Sequence, residues 1–185
     1  MSYSIILPVY NEENAILDQV NEIIKYIDLY KIKAEIIIID DGSNDSTLSI
    51  CKKIKYSNLK IHSNLDNLGY GFSIKKGVEL ANYENIIMLD ADMTYPFSEI
   101  NKLILDYEKG FDLVIGERKN LTKHDGLMKG ILRQILILIV NFISGIKVPD
   151  PNSGYRIFKK NIFVKYDFLI SNSFSMSTSS LLCFV

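Results

Sequence analysis

The sequence has no tryptophan, only two cysteines and two histidines, and four prolines among its 185 residues. Cys51 and Cys183 form neither a spaced metal-binding pattern nor a disulfide framework, so a reducing compartment is expected. The N-terminal residues lack the basic segment of a signal peptide, which favours a cytoplasmic location. Between 131 and 146 the longest apolar run is six residues, far short of the roughly 20 needed to span a bilayer.

The net charge is only −1, but the charged residues are unevenly distributed along the chain. Residues 117–167 contain 10 Lys/Arg and 4 Asp/Glu, giving +6, whereas the remainder of the chain carries −7. This asymmetry suggests an anionic partner for the basic part and a cation for the acidic part, although a solvated helical face explains it equally well. Nucleic acid is not an expected partner, because the net charge is near zero and the basic part lacks an aromatic stacking array.

Apolar periodicity alternates between strands and helices along the chain. It predicts strands at 4–9, 35–39, 59–62, 86–89 and 113–115, and helices at 14–30, 46–55, from the 67–71 turn to 81, and 96–109. This order predicts an α/β fold with a mostly parallel sheet flanked by helices. Such sheets bind ligands at the carboxyl ends of their strands.

Acidic residues follow three of these strands, namely Glu12, Asp41 with Asp40, and Asp90 with Asp92. Asp90 and Asp92 could share a Mg²⁺ or Mn²⁺ ion with a substrate diphosphate, since Mg²⁺ sites often use few protein ligands. A short Asp-X-Asp segment also occurs as a helix cap with a solvated acid. Its position directly after a buried strand favours the metal-binding interpretation.

Tyr10, Glu12 and Asp41 suit the recognition of a nucleoside. An aromatic ring can stack on a base, and a carboxylate can accept hydrogen bonds from the imide of uracil, from guanine or from a ribose hydroxyl. The alternative for the 40–43 segment is a turn followed by a helix cap.

The segment 131–146 is apolar at 11 of 16 positions, with polar residues along one helical stripe. Two interpretations stay open. The helix could face the core, which we favour from the pattern alone, or it could lie in a membrane interface.

Several motifs together resemble the family 2 glycosyltransferases with a GT-A fold, and within them the dolichyl- and polyprenyl-phosphate sugar transferases. They are 7–13 (LPVYNEE), 38–45 (IIDDGSND), 67–71 (NLGYG), 89–92 (LDAD), 116–118 (GER) and 149–156 (PDPNSGYR). The resemblance implies an inverting, metal-dependent transfer of a sugar from a UDP- or GDP-sugar to a lipid phosphate. It assigns the donor to Pro8, Tyr10, Glu12, Asp41, Gly69 and Asp90, and the metal to Asp90 and Asp92.

On the acceptor side, the resemblance implies that Arg118, Lys129 and Arg133 meet the lipid phosphate, and that Asp150, Ser153 and Arg156 line the site. A salt bridge to Asp150 is the alternative for Arg156. An acceptor with a sugar hydroxyl is the second functional interpretation. It would require a general base, for which Asp150 is the candidate. A third is a domain that binds a sugar nucleotide without turnover.

Members of the family usually continue beyond the point where this chain ends. The resemblance therefore predicts a single, C-terminally truncated catalytic domain, with a nucleotide-sugar part at 1–116 and an acceptor- or membrane-facing part at 117–185. It also predicts a peripheral position at the cytoplasmic face of a membrane, and a partner protein could complete the domain.

Overall fold

A computed structural model describes residues 1–118 and 127–185. Its strands are β1 (Ser2–Val9), β2 (Lys33–Asp40), β3 (Leu59–Ser63), β4 (Asn85–Met88), β5 (Leu113–Ile115) and β6 (Arg156–Lys159). Its helices are α1 (Ile16–Tyr30), α2 (Thr47–Cys51), α3 (Tyr70–Leu80), α4 (Ile100–Tyr107), α5 (Leu127–Ser144), α6 (Lys160–Lys165) and α7 (Met176–Cys183). Each of the five strands expected from the sequence is present, which confirms the α/β prediction.

The six strands form one mixed sheet in the order β3-β2-β1-β4-β6-β5. Strands β1 to β4 pair in parallel, whereas β6 runs antiparallel to both β4 and β5. Strand β6 was not expected from the sequence, because it is only four residues long and has a charged residue at each end. Because β6 lies between β4 and β5, the segment after residue 116 belongs to the same sheet as the segment before it.

Hydrophobic clusters cover both faces of the sheet. Alternate residues of β1 point to opposite sides, so Ile5 and Leu7 pack with α1 and α4 while Ile6 packs with α3, α6 and α7. Two-sided burial explains why β1 and β2 are continuously apolar rather than alternating. The parallel register brings the carboxyl ends of β1, β2 and β4 to one edge, next to the start of α3.

Helix α5 packs against the rest of the molecule through a narrow strip. Val140 is buried and Leu136 is partly buried, in a small cluster with Val148 and Leu181. The large apolar side chains of α5 that stay exposed are Met128, Ile131, Leu132, Ile135, Leu138, Ile139, Phe142 and Ile143. The preference for a core-facing helix was therefore wrong. Among the described residues, no helix combines the length and apolar content needed to cross a bilayer.

Candidate active site

A cavity of about 570 Å³ opens at the carboxyl edge of β1, β2 and β4. Its lining includes every residue that the sequence analysis assigned to the donor and the metal: Pro8, Tyr10, Glu12, Asp41, Gly69, Asp90 and Asp92. These residues come from four separate segments of the chain, and the parallel sheet brings them together. The cavity is thus a candidate site for an elongated ligand that carries both a base and a charged group.

Two loops at this edge hold each other in place by reciprocal hydrogen bonds. The Asn11 N–H donates to Ser43 Oγ at 2.9 Å, and the Asn44 N–H donates to Asn11 Oδ1 at 2.8 Å. The Glu12 N–H donates to Thr47 Oγ1 at 2.8 Å. Asn11 has a φ of 57°, in the left-handed region that asparagine tolerates better than most residues. The bonds fix the backbone beside Tyr10, which is 41% exposed and accessible to a planar ligand.

Asp41 organises the loop that follows β3. Its Oδ1 accepts from the Asn64 side-chain amide at 2.8 Å and from the Leu68 N–H at 3.0 Å, and its Oδ2 accepts from the Gly69 N–H at 2.8 Å. A carboxylate offers roughly four acceptor positions, so one remains for a ligand in the cavity. Asp41 is therefore both a structural residue and a candidate base-recognition residue.

Asp90 contacts a tyrosine and a glycine. Tyr70 donates its hydroxyl to Asp90 Oδ1 at 2.8 Å, and Gly154 packs closely against the same carboxylate. Burial raises the pKa of Asp90; the Tyr70 hydrogen bond lowers it in part, and the negative charge of Asp92 raises it again. Burial and the adjacent Asp90 raise the pKa of Tyr70 well above its usual value, so the phenol stays protonated and donates.

Negative charge accumulates in the cavity. Burial raises the pKa of Glu12, and the charges of Asp92, Asp45 and Asp90 raise it further. Asp92 is exposed and accepts the Thr94 N–H at 2.9 Å. No group of three or more acidic, cysteine or histidine side chains that could hold a metal occurs in the described part of the chain. The pair Asp90 and Asp92 remains a candidate site for a Mg²⁺ or Mn²⁺ ion that would take its other ligands from a diphosphate and water.

A second pocket, of about 290 Å³, adjoins the cavity. Arg118, Arg133 and Asp150 line it, and Asn152 and Phe174 line both this pocket and the cavity. Arg118 forms a bidentate ion pair with Asp150, with Nε–Oδ2 at 2.8 Å and Nη2–Oδ1 at 2.9 Å. Hydrogen bonding to Asp150 raises the pKa of Arg118. Lys129 was assigned to the same site, but its side chain lies outside the described part of the chain.

Arg156 and Ser153 do not have the acceptor-lining positions expected for them. Arg156 is 1% exposed, and its guanidinium donates to the carbonyl oxygens of Ser153, Ser177 and Pro151, each at 2.6 Å. Burial lowers its pKa to about 10. Ser153 is fully buried and donates to the Gly116 carbonyl at 2.5 Å. Both side chains therefore hold the loop before β6 in place, and Arg118, rather than Arg156, forms the ion pair with Asp150.

Comparison with known proteins identifies the family to which the chain belongs. The family model for glycosyl transferase family 2 matches residues 4–167. The chain belongs to this family. A dolichyl-phosphate beta-glucosyltransferase from Dictyostelium discoideum is 31% identical over 176 residues, covering 85% of this chain and 54% of the relative. An undecaprenyl-phosphate 4-deoxy-4-formamido-L-arabinose transferase from Salmonella choleraesuis is 30% identical over 162 residues, covering 86% and 49%.

Solved structures of GT-A glycosyltransferases share the fold of this family 2 chain. Glucosyl-3-phosphoglycerate synthase from Mycobacterium tuberculosis, crystallised with Mn²⁺, UDP-glucose and phosphoglyceric acid, superposes with a TM-score of 0.73 at 19% identity. The match covers 97% of this chain and 63% of that one. The predicted GT-A fold is thus confirmed. The chain spans about half the length of the curated relatives it matches.

Sequence reasoning missed several residues of this family 2 cavity. Tyr70, Asn152, Phe174 and Ser177 line it, yet none was singled out as a site residue. Tyr70 directly follows Gly69 in the NLGYG motif, so its proximity to the cavity could have been anticipated. Phe174 comes from a segment far along the chain, and only the packing of that segment on α3 brings it to the cavity.

Proposed function

We propose that this chain forms the catalytic domain of an inverting transferase that moves a sugar from a nucleotide diphosphate sugar to a polyprenyl or dolichyl phosphate. The observation that carries the proposal is the contiguity of the two cavities. The cavity that contains Asp90 and Asp92, called the acidic cavity below, shares lining residues with the second pocket, called the arginine pocket after Arg118 and Arg133. The shared residues are Asn152 and Phe174. A donor diphosphate beside Asp90 and Asp92 would therefore place its sugar next to an anion-binding pocket.

The proposed residue roles follow from this geometry. Tyr10 would stack on the base, and Asp41 would accept a hydrogen bond from it. Asp90 and Asp92 would hold Mg²⁺ or Mn²⁺, which neutralises the charge that grows on the departing diphosphate. The bond between the anomeric carbon and the diphosphate oxygen breaks with its electrons on the diphosphate. The new bond forms from an oxygen of the acceptor phosphate, on the opposite face of the sugar.

The environment of Asp150 favours a phosphate acceptor over a sugar hydroxyl. A hydroxyl acceptor needs a general base within hydrogen-bond reach. Asp150 was the candidate, but it is 3% exposed and both of its carboxylate oxygens accept hydrogen bonds from Arg118. A phosphate is already an anionic nucleophile and requires no base. Arg118 and Arg133 in the same pocket suit an anion.

The names of the relatives support the same acceptor class. The Dictyostelium relative is named for dolichyl phosphate and the Salmonella relative for undecaprenyl phosphate, and both ligands are long-chain lipid phosphates. The Mycobacterium neighbour, in its complex with Mn²⁺ and UDP-glucose, supports a divalent cation and favours UDP as the first nucleotide to test. GDP is the alternative.

We further propose that the exposed face of α5 lies in a membrane interface. The helix carries Arg133, which lines the arginine pocket, and its neighbouring turns expose large side chains such as Leu138 and Phe142. A lipid phosphate has a charged head and a long apolar tail. One helix would thus present a cation to the head while its apolar face contacts the bilayer that holds the tail.

The decisive experiment is a transfer assay. The purified chain is incubated with Mn²⁺, undecaprenyl phosphate and radiolabelled UDP-glucose or GDP-mannose, and the label in the organic extract is counted. We expect labelled lipid with one donor, and none when undecaprenol replaces the phosphate. Labelling of a sugar acceptor instead would favour the hydroxyl alternative. Donor binding in a calorimeter without transfer to any acceptor would indicate a binding domain without turnover.

A further inference from the structure

The segment 171–174 packs very closely on the first turn of α3. The Phe72 N–H donates to the Asn172 carbonyl at 3.1 Å. A Cβ added at Gly71 would collide with the Ser171 carbonyl oxygen and would lie 2.7 Å from the carbonyl carbon of Asn172. Only glycine permits this approach. The backbone contact therefore fixes where the segment 171–174 lies relative to the cavity.

This contact sets Phe174 on the ring of Tyr70. The two rings are stacked, with centroids 6.4 Å apart and planes 9° from parallel. Phe174 is otherwise 87% exposed, which is unusual for a phenylalanine at the rim of a polar cavity. Stacked aromatic rings attract each other beyond the effect of the apolar area that they bury. The Phe174 ring thus lies along one side of the Tyr70 ring.

From this orientation Tyr70 donates its hydroxyl to Asp90 Oδ1. The Asp90 carboxylate also packs against Gly154, where an added Cβ would lie 2.6 Å from both Oδ1 and Cγ, so the carboxylate contacts a hydrogen-bond donor and a backbone surface. Groups that orient a metal-binding side chain commonly change metal affinity 10- to 100-fold when they are removed. A carboxylate that is already held in position changes its orientation little when a cation binds.

We propose that Tyr70 is a positioning residue that orients Asp90 for the divalent cation, and that Phe174 acts through Tyr70 by holding its ring. The inference rests on the proposed function, because it assumes that Asp90 binds the cation. It gives the segment 171–174 a role that neither the sequence motifs nor the resemblance to the family assigns to it. In this proposal Tyr70 acts on the cation through Asp90.

The test compares single hydroxyl deletions. Tyr70→Phe removes the bond to Asp90 but keeps the stack with Phe174. Tyr107→Phe is the matched control, because it removes a hydroxyl that donates to Asn85 Oδ1 at 3.0 Å, at the opposite end of β4. Calorimetry measures the affinity of Mn²⁺ at saturating UDP, with GDP in parallel, and the affinity of each nucleotide without metal. The electron paramagnetic resonance spectrum of bound Mn²⁺ gives a second readout.

We expect Tyr70→Phe to weaken Mn²⁺ binding about tenfold and to alter the Mn²⁺ spectrum, with a clearly smaller change in metal-free nucleotide affinity. Phe174→Ala should weaken Mn²⁺ binding in the same direction. The double variant should be no worse than Tyr70→Phe alone, because Phe174 acts through the Tyr70 hydroxyl. Tyr107→Phe should bind Mn²⁺ as the wild type does.

Two results would overturn the inference while leaving the proposed function intact. One is wild-type Mn²⁺ affinity in Tyr70→Phe, and the other is an equal loss of metal-free nucleotide binding, which indicates a general packing role. Additive losses in the double variant would reject the coupling through Phe174. If the wild type itself binds neither nucleotide in a Mn²⁺-dependent way, the proposed function fails and the inference fails with it.

Discussion

The carboxylate of Asp90 lies directly against the α-carbon of Gly154. A Cβ added at Gly154 would collide with Oδ2 and would lie 2.6 Å from the Asp90 Cγ, far inside van der Waals contact. The 149–156 motif and the Asp-X-Asp motif thus meet where Gly154 packs against the Asp90 carboxylate. Their separation of about 60 residues in the sequence gives no indication of this contact.

Gly154→Ala should therefore displace Asp90 and weaken Mn²⁺-dependent binding of UDP or GDP by about tenfold or more. Calorimetry with and without Mn²⁺ measures the effect. Gly130→Ala is the matched control, because a Cβ at Gly130 meets nothing within 4 Å and alanine is the better helix former. If nucleotide binding by Gly154→Ala depended on Mn²⁺ as in the wild type, the position of Asp90 would not matter for metal binding and the prediction would be wrong.

Asp92→Asn should abolish Mn²⁺-dependent nucleotide binding while the fold persists. Asp92 is exposed, and the bond that its Oδ1 accepts from the Thr94 N–H can also form with asparagine. Only the charge is lost, so the melting temperature should stay at the wild-type value and metal-free nucleotide affinity should not fall. The exposed Asp18 on α1 supplies the control variant, Asp18→Asn. Wild-type affinity in the presence of Mn²⁺ would refute the metal assignment.

Arg118→Ala should weaken acceptor binding more than nucleotide binding, and it should also lower stability. Removal of the guanidinium leaves the buried Asp150 without its ion-pair partner, which costs about 3 kcal/mol. Farnesyl phosphate is a suitable soluble probe of the arginine pocket. Urea unfolding and calorimetry separate the two effects.

The double variant Arg118→Ala/Asp150→Asn distinguishes stability from binding. Neutralising Asp150 removes the unpaired charge, so stability should return while farnesyl phosphate binding stays weak. Arg156→Lys is the contrasting variant. Because Arg156 donates to backbone carbonyl oxygens, this substitution should lower stability and leave farnesyl phosphate binding unchanged. Equal losses of nucleotide and farnesyl phosphate binding in Arg118→Ala would contradict the acceptor role.

The sequence predicted the sheet and the acidic cavity well, and for a physical reason. Buried parallel strands read as apolar runs, and their carboxyl ends must share an edge, so Glu12, Asp41 and Asp90 were expected together. The failures concern long-range packing. The alternatives at Arg156 were a position lining the acceptor site or an ion pair with Asp150, yet its partners are carbonyl oxygens. No side-chain pattern reveals which backbone oxygens will surround a buried guanidinium.

Glu35 should make folding stability depend on pH. It is 5% exposed and accepts from the Ser4 hydroxyl at 2.6 Å, from the Asn82 N–H at 2.6 Å and from Lys60 at 2.9 Å. Burial alone would raise its pKa, but the hydrogen bonds from Lys60, Ser4 and Asn82 outweigh it, and the folded-state pKa is lowered. Unfolding then takes up a proton. The stabilisation is full above the unfolded pKa of about 4.3 and is lost as the pH falls through the folded pKa.

Glu35→Gln should cost about 1–3 kcal/mol at neutral pH, because buried donors lose an ionised acceptor. It should also flatten the decline in stability below about pH 5. Urea unfolding from pH 4 to 7 measures both effects. Glu79→Gln, on an exposed part of α3, should leave the pH dependence of the wild type unchanged. Parallel pH profiles for Glu35→Gln and the wild type would exclude Glu35 as the source.

The exposed face of α5 should bind lipid vesicles. Phe142 is 89% exposed and Leu138 is 67% exposed, and full burial of such a side chain is favourable by about 1.5–3 kcal/mol. Phe142→Ser combined with Leu138→Ser should therefore reduce binding to phosphatidylglycerol vesicles by about a hundredfold, as measured by co-sedimentation. Leu65→Ser is the control, because Leu65 is 99% exposed in the loop after β3 and lies outside α5.

A second copy of the chain could cover the same apolar face, and sedimentation velocity without lipid distinguishes this possibility. The membrane assignment requires a monomer that binds vesicles through α5. A dimer that the Phe142 and Leu138 substitutions dissociate, together with vesicle binding that they leave unchanged, would reject it. Arg133 lies on the same helix as the apolar face, so a true membrane contact should also strengthen farnesyl phosphate binding when vesicles are present. That coupling is not expected from dimerisation alone.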